Sequence, residues 1–439
     1  GRGRRGVAAR GGGSDGIGGE KMRNGRGSDC VAQRNPDVLT INGGSSSIKF
    51  ALYRMSDPAE LRLRGSVDRI GATGTTFSYA DSVANRQESR DIGDSDQARA
   101  ADFLIDWVDD AIGFAAIDAV GHRVANGGMH YVEPQRVTDE LLGGLRGISV
   151  YAPDHLPSEI ALIDRFRVRV PQMPQVVCFD TAFHRDMPPV ARILPIPRRL
   201  QVQGVERYGF HGLSYAFLME ALARDAGAAV AHARVILAHL GNGASLAAIR
   251  GGKSIDTSMS LTPASGVPMS NRSGDLDPGL VLYLAQTEAM TPEQFHHMVN
   301  HQSGLLGISE TSGDVRDLLD REAHDARAAE AVALFCYEVK KRIGAFAAAL
   351  GGVDTLVFAG GIGENAAVIR ARICERLAFL GIELDASRND ASEPVISSDS
   401  SPVGVRVVRT NEEIMIAKAV ADVLCIPVAK RDPETRSKR

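Results

Sequence analysis

The chain reads as an α/β protein of two similar halves with a cleft between them, and three observations carry that reading. The first is a repeated hairpin. Leu39-Thr40-Ile41-Asn42-Gly43-Gly44-Ser45-Ser46-Ser47-Ile48-Lys49-Phe50 is an apolar, β-branched run that breaks into glycines and small polar residues and then resumes. Val235-Ile236-Leu237-Ala238-His239-Leu240-Gly241-Asn242-Gly243-Ala244-Ser245-Leu246 repeats the pattern, with Ser245 lying 198 positions after Ser47. The second observation is length: 439 residues exceed one ordinary core and suit two domains. The third is an alternation of strand-like and helix-like segments in both halves, as crossover connections require.

Taken in order, strand patterning opens at Asp37–Tyr53 and continues through Arg62–Tyr79 with polar alternation. Ser95–Ile112 has helical spacing and includes Trp107. Ile117–Val124 predicts a buried strand ending in the polar turn Asn126-Gly127-Gly128, and Val176–Phe179 a second one ended by Asp180. The pattern restarts with a hairpin at Ala233–Ile249, then helices at Pro278–Thr287 and Ala326–Leu350. A strand follows at Asp354–Ala359, then a glycine turn and a helix from about Asn365 to Leu380. A polar stretch, Asp385–Ser401, precedes a strand at Val403–Arg409. The last helix begins near Glu412, with Asn411 as its N-cap.

Composition narrows the function classes. Hydrophobic content of 44% with 24% charged residues is ordinary for a globular protein. Five scattered cysteines lack metal or redox spacing, which favours a reducing, cytoplasmic setting. The most apolar region, Ile343–Val353, is too short to span a bilayer, so no membrane partner is expected. Residues 1–35 hold eleven glycines and eight Lys/Arg against three Asp/Glu, a net of +5, and read as a disordered basic extension. The remainder carries −9, which argues against nucleic acid as a partner. Residues 429–439 read as a charged tail.

The glycine tips come first among the chemical motifs. Gly43-Gly44 and Gly241-Asn242-Gly243 let backbone N–H groups approach phosphate oxygens with no Cβ in the way, and Ser45, Ser46, Ser47 and Lys49 add hydroxyl donors and a positive charge. One such tip is an ordinary β-turn; two at matched positions suggest a two-sided grip on a nucleotide phosphate tail. Ala359-Gly360-Gly361-Ile362-Gly363-Glu364-Asn365 joins a strand to a helix, where unpaired N–H groups and the helix dipole favour anions. It is neither a dinucleotide fingerprint nor a Walker A loop, and by itself a tight turn explains it equally well. Met269-Ser270-Asn271-Arg272-Ser273-Gly274-Asp275-Leu276-Asp277-Pro278 presents an arginine fork in a small-residue loop, with Asp275 and Asp277 as structural acids. Gly121-His122-Arg123 offers a second arginine at a strand end. Ala152-Pro153-Asp154-His155 and Tyr208-Gly209-Phe210-His211-Gly212 place histidines in turns.

Together these residues resemble the acetate kinase family, from about Asp37 to Val428. Further markers in order are Phe179-Asp180-Thr181-Ala182-Phe183-His184, Ser303-Gly304-Leu305-Leu306-Gly307 and Thr410-Asn411-Glu412-Glu413. The resemblance implies a duplicated actin-like (ribonuclease H-like) two-domain fold. It implies an N-terminal domain at 36–185, rejoined by a C-terminal helix at about 411–428, and a nucleotide-binding domain at 186–410. It also implies reversible phosphorylation of acetate by ATP, giving acetyl phosphate and ADP, and a homodimer. Arg123 and Arg272 would bind the carboxylate and the phosphoryl group in transfer. His211 and His155 would hydrogen-bond its oxygens, and Asp180 would be the family's catalytic carboxylate, orienting an arginine or positioning substrate and metal. Ala125, Phe210 and Pro263 match the acyl pocket. Asn42 and Glu412 match the Mg²⁺ ligands. Lys49, His239, Leu240, Gly241, Asn242, Gly243, Asp314, Val315, Arg316, Gly361, Ile362, Gly363, Glu364 and Asn365 match the nucleotide site.

The sequence departs from the family pattern at three places. Asn126 stands where the family has histidine, Asp154-His155-Leu156 where it has Leu-His-Asn, and Ala125 where it has valine. A buried, unpaired carboxylate is costly, so Asp154 is expected to be exposed, paired or in contact with a polar substrate group. One methylene in a pocket is worth only about 1–3 kcal/mol, so propionate or butyrate is an alternative acid.

Overall fold

The structure, a computed structural model, describes residues 35–44, 46–427 and 429–430. Ser45, residues 1–34 and 431–439 lie outside the described residues, as do most of the expected basic extension and charged tail. The strands are β1 (Asp37–Gly43), β2 (Ser47–Arg54), β3 (Ser56–Asp57), β4 (Glu60–Asp68), β5 (Thr76–Asp81), β6 (Arg86–Asp91), β7 (Ala119–Val124), β8 (Gln135–Arg136) and β9 (Gln175–Phe179). The chain continues with β10 (Arg234–Leu240), β11 (Ala244–Arg250), β12 (Lys253–Thr257), β13 (Thr355–Ala359), β14 (Gly404–Val407) and β15 (Ala429–Lys430).

Two large sheets carry the duplication. The first runs β6-β5-β4-β2-β1-β7-β9-β8 and the second β12-β11-β10-β13-β14. Within the first, the order β4-β2-β1-β7-β9 repeats the whole of the second, sense for sense. β1 is antiparallel to β2 and parallel to β7, as β10 is antiparallel to β11 and parallel to β13. The hairpin tips therefore hold equivalent places in two equivalent sheets.

Each sheet is buried on both faces because its central strands are apolar on alternate sides. Leu39 and Ile41 of β1 pack with Phe50, Phe77 and the Gln97–Ala111 helix, whose N-terminus Asp96 caps by accepting from Arg99 N. Val38 points the other way, into a cluster with Ile416 and Val420 of the Glu412–Leu424 helix. Gly121 of β7 makes that contact close: a Cβ there would lie 2.5 Å from Ile416 Cγ2. In the second sheet Ile236 and Leu246 face Phe335 and Phe346 of the Ala326–Leu350 helix, while Val235 and Leu237 face Tyr215 and Leu218 of the Gly212–Ala226 helix.

Most expected elements stand within a residue or two. One does not. The helix expected from Asn365 to Leu380 is two helices, Gly360–Asn365 and Ala367–Cys374, and it begins at the glycines rather than after them. Arg370 explains the break. Its buried guanidinium donates to the Gly363 and Glu364 carbonyls, so the first helix ends without needing a further turn. The polar stretch before β14 also holds a short helix, Ala386–Asp390, and β15 pairs with β3 where a tail was expected. Among the described residues no helix is long and apolar enough to cross a membrane.

Candidate active site

The two hairpin tips open into one cavity of about 540 Å³, lined from the first half by Asn42, Lys49, Arg123, Ala125 and His155 and from the second by Phe210, His211, His239, Gly241–Gly243, Pro263 and Arg272. Glu412 and Glu413 reach it from the last helix. A larger cavity of about 810 Å³ lies against the β2–β6 face and shares Lys49, Thr410 and Glu413, but neither arginine lines it.

Arg123 ends β7 and is held on every side. Its Nε lies 3.0 Å and its Nη2 2.5 Å from Asp180 Oδ2, and its Nη1 donates to Glu159 Oε1 at 2.9 Å and to the Gly43 carbonyl at 3.2 Å. Burial alone would lower the guanidinium's pKa; Asp180 and Glu159 outweigh it and move it upward. Burial pushes Glu159 up to about 7 against the pull of Arg123, and Glu159 also accepts from Ala125 N at 2.9 Å. Asp180 is raised as well, chiefly by burial, and its Oδ1 has no hydrogen-bond partner.

Arg272 is built differently. Its Nη1 reaches only the Pro263 carbonyl, at 3.4 Å, and Met269 Sδ. Among the described residues no carboxylate pairs with it. Burial and then repulsion from Arg123 lower its pKa, so two guanidinium groups converge on one space with charge to spare.

The histidines around them are neutral. His211 occupies the left-handed region (φ 59°) as the residue before the Gly212–Ala226 helix, and its Nδ1 lies 2.8 Å from Ser245 Oγ, which Tyr215 also contacts. The turn is braced by His184, whose Nε2 donates to the Phe210 carbonyl at 3.1 Å. The His211 ring stacks on His239 at 4.3 Å. Burial first, then His239, Arg123 and Arg272, hold His211 well below the usual histidine range. Burial and the two arginines take His155 to about 3, and burial with Lys49 takes His239 to about 4.

Asn42 lies opposite Lys49 across the first hairpin and donates to Glu412 Oε2 at 2.9 Å. Glu412 is raised by burial and by Glu413. Among the described residues no three His, Cys, Asp or Glu side chains group to hold an ion alone. Asn42 and Glu412 bring oxygen donors to the cavity, to which water and phosphate oxygens could add to complete a cation's shell.

A second cavity of about 640 Å³ adjoins the first, sharing Gly241, Asn242 and Gly361. Its lining adds Asp314, Val315, Arg316, Ile362 and Asn365, with Leu306 and Leu319 as apolar walls. Gly360 has φ +76°, and a Cβ there would come within 2.7 Å of the Leu240 carbonyl, so only glycine lets the two turns meet.

The structure thus brings together nearly every residue singled out above. Three stand apart from the cavities. Leu240 is wholly buried in the core, Gly363 is buried behind its helix, and Asp180 lies beneath Arg123. Glu364 touches the catalytic cavity, yet its Oε1 accepts from Gly360 N and Thr410 N, so it ties the turn to the last segment. Arg316 is paired with Asp314, at 2.6 Å. Asp154 is paired, with His296 Nε2 at 3.0 Å. Glu159 was not anticipated, and Thr410 and Glu413 stood among the family markers without a role. Glu159 had a signal: it sits at helical spacing from the buried Leu156, Leu162, Ile163 and Phe166, where an acid needs a buried partner.

The model of the Acetokinase family matches residues 37–418. The chain belongs to the acetokinase family. It is 41% identical to the propionate kinase of Citrobacter rodentium, over 90% of this chain and 97% of that one. It is equally 41% identical to the acetate kinase of Rhodopseudomonas palustris strain CGA009, over 87% and 97%. Among solved structures, acetate kinase from Porphyromonas gingivalis superposes with a TM-score of 0.79 at 34% identity, covering 89% of this chain and all of that one. A propionate kinase from Francisella tularensis gives 0.81 at 34%, covering 88% and 98%. As a member of the acetokinase family the protein has the two-domain actin-like fold and is a carboxylate kinase, using ATP with a divalent metal.

Proposed function

We propose that this acetokinase-family protein reversibly phosphorylates acetate with MgATP, giving acetyl phosphate and ADP by direct in-line transfer. The observation that carries the reading is the convergence of Arg123 and Arg272, one bonded to two carboxylates and the other, among the described residues, bonded to none. Transfer from ATP to a carboxylate brings two anions together, so the protein's main task is neutralising charge and positioning. The rigid Arg123 suits orienting the acid, and the unpaired Arg272 suits the phosphoryl oxygens. No general base is required, because a carboxylic acid with a pKa near that of Asp or Glu is ionised at neutral pH (about 4).

His211 fits a donor role. If Tyr215 donates to Ser245 and Ser245 to Nδ1, the remaining proton sits on Nε2, facing Gly243 and Arg272. A neutral histidine can donate there without protonation. His155 offers a second neutral ring. Asn42 and Glu412 would hold the metal, Mg²⁺ in this reading, which would supply charge neutralisation at the phosphate oxygens. The adjoining cavity takes the nucleoside, with Gly241–Gly243 between base and phosphates.

Ala125 favours propionate as a second acid: it is buried against the cavity and leaves the space a larger side chain would fill. We read the protein as a cytoplasmic homodimer, as the family resemblance implies, with residues 36–185 and 186–410 as its domains. Hydroxamate trapping of acyl phosphate with MgATP and acetate, propionate or butyrate tests the reading. The expected order in kcat/KM is acetate, then propionate, then butyrate. Propionate ahead of acetate would reverse the choice of acid. ATP binding with no acyl phosphate from any of the three would sink the kinase reading for an idle nucleotide-binding protein.

A further inference from the structure

Beside the catalytic cavity, two parts of the chain that carry opposite walls of the site are joined by side chains with no part in the chemistry above. Asp154 immediately precedes His155, in the turn that leads into the Leu156–Arg169 helix. That turn is packed on the first sheet through Ala152 and Leu156, which share a cluster with Val124, Val177 and Phe179. Asp154 Oδ2 lies 3.0 Å from His296 Nε2 and 4.0 Å from His301 Nε2. Both histidines belong to the Pro292–His301 helix, which starts in a capping box at Thr291 and Gln294. The far end of this helix is bonded to the loop that presents Arg272. Ser273 N donates to the Val299 carbonyl at 2.9 Å, and Ser303 N to the Asn271 carbonyl at 3.1 Å. His296 is itself steadied by Asn300, whose Nδ2 reaches its ring at 3.3 Å and its carbonyl at 2.9 Å.

We propose that Asp154, through His296 and His301, is a clamp that fixes the His155 turn to the helix behind Arg272, and so acts as a positioning residue for the carboxylate and the transferring phosphoryl group. The inference rests on the function proposed above. The bridge spans 142 residues of sequence, so it joins elements that nothing local holds together.

Other charged and titratable groups surround the clamp. His301 faces Asp154, His297, Arg272 and His296, and burial lowers it while Asp154 opposes the fall. Its ring lies 4.9 Å from that of His297. His296 faces Asp154 and Asn300.

Steady-state kinetics of the full chain test this. In Asp154→Leu the kcat/KM for the acid should fall about fivefold, the scale of a partly exposed hydrogen bond, while KM for ATP stays within about twofold. His296→Gln should do the same, and the double variant should be no worse than either single one. Thermal melts verify folding, and His296→Gln carries the test should Asp154→Leu not fold. Wild-type kinetics in either single variant, or additive losses in the double one, would overturn the clamp. Absence of acyl phosphate from the wild type would instead overturn the function on which it rests.

Discussion

The two hairpins, β1–β2 and β10–β11, share a sheet position and differ in everything attached to it. At the first tip Asn42 meets Glu412 from the far end of the chain, and Arg123 meets two buried carboxylates. At the second, His239 stacks on His211 and the glycines open toward an apolar-walled cavity. No carboxylate is bonded to Arg272 there among the described residues. The first side is thus supplied with negative charge suited to a cation, and the second is stripped of it to suit an anion. Duplication provides the cleft, and in the function proposed above the unequal placing of acids suits one side to metal and the other to nucleotide.

Breaking the convergence of the two sides should have the largest effect. Arg272→Ala should lower kcat about 10³-fold or more in the acyl phosphate assay with an unchanged melting temperature, because it removes a guanidinium that, among the described residues, no carboxylate holds away from developing charge. Retained turnover would remove that role. Damage confined to the first side comes next. Glu412→Gln should cost about 10²-fold and raise the divalent metal concentration needed for half-maximal rate, read by metal titration at saturating substrates. If the metal requirement does not move, Glu412 is not a ligand. On the second side Ile362→Trp should fill the nucleotide cavity, raising KM for ATP about tenfold and leaving KM for the acid alone. Equal rises in both would dissolve the division of labour.

The smallest effect concerns stability. His122, beside Arg123, is pushed to about 4 by burial, against about 6.5 in an unfolded chain. As pH falls, the unfolded state takes up the proton first. The stability tied to this group is intact above about 6.5 and is lost progressively toward 4, amounting to about 2 kcal/mol at pH 5. Urea titrations of His122→Gln at pH 7 and 5 should show a difference smaller than the wild type's by that amount. An equal difference would mean that His122 is not buried neutral.

How much of this was legible in the sequence follows from the range of each interaction. The hairpins, the Ala326–Leu350 helix and the loop arginines were legible because pattern and turn chemistry are local. Glu159 could have been found from its place on an apolar helix face. Arg370 could not: its acceptors are Gly363, Glu364, Asn389 and Ser392, and nothing in the run Ala367–Cys374 marks a guanidinium that is fully buried. The split helix was missed for the same reason. Asp154 was expected to be exposed, paired or in contact with a polar substrate group, but the sequence could not say that a partner lay on the Pro292–His301 helix.

The Glu412–Leu424 helix closes the face of β1 and β7, although it is made long after both. During synthesis that face waits with Val38, Ala119 and Val176 bare until residues 412–424 have left the ribosome. The same helix brings Glu412 to Asn42. A chain truncated before residue 412 would therefore lack the lid of its first core and, in the function proposed above, the carboxylate that Glu412 offers to the metal, so closing the fold and completing the site are one event.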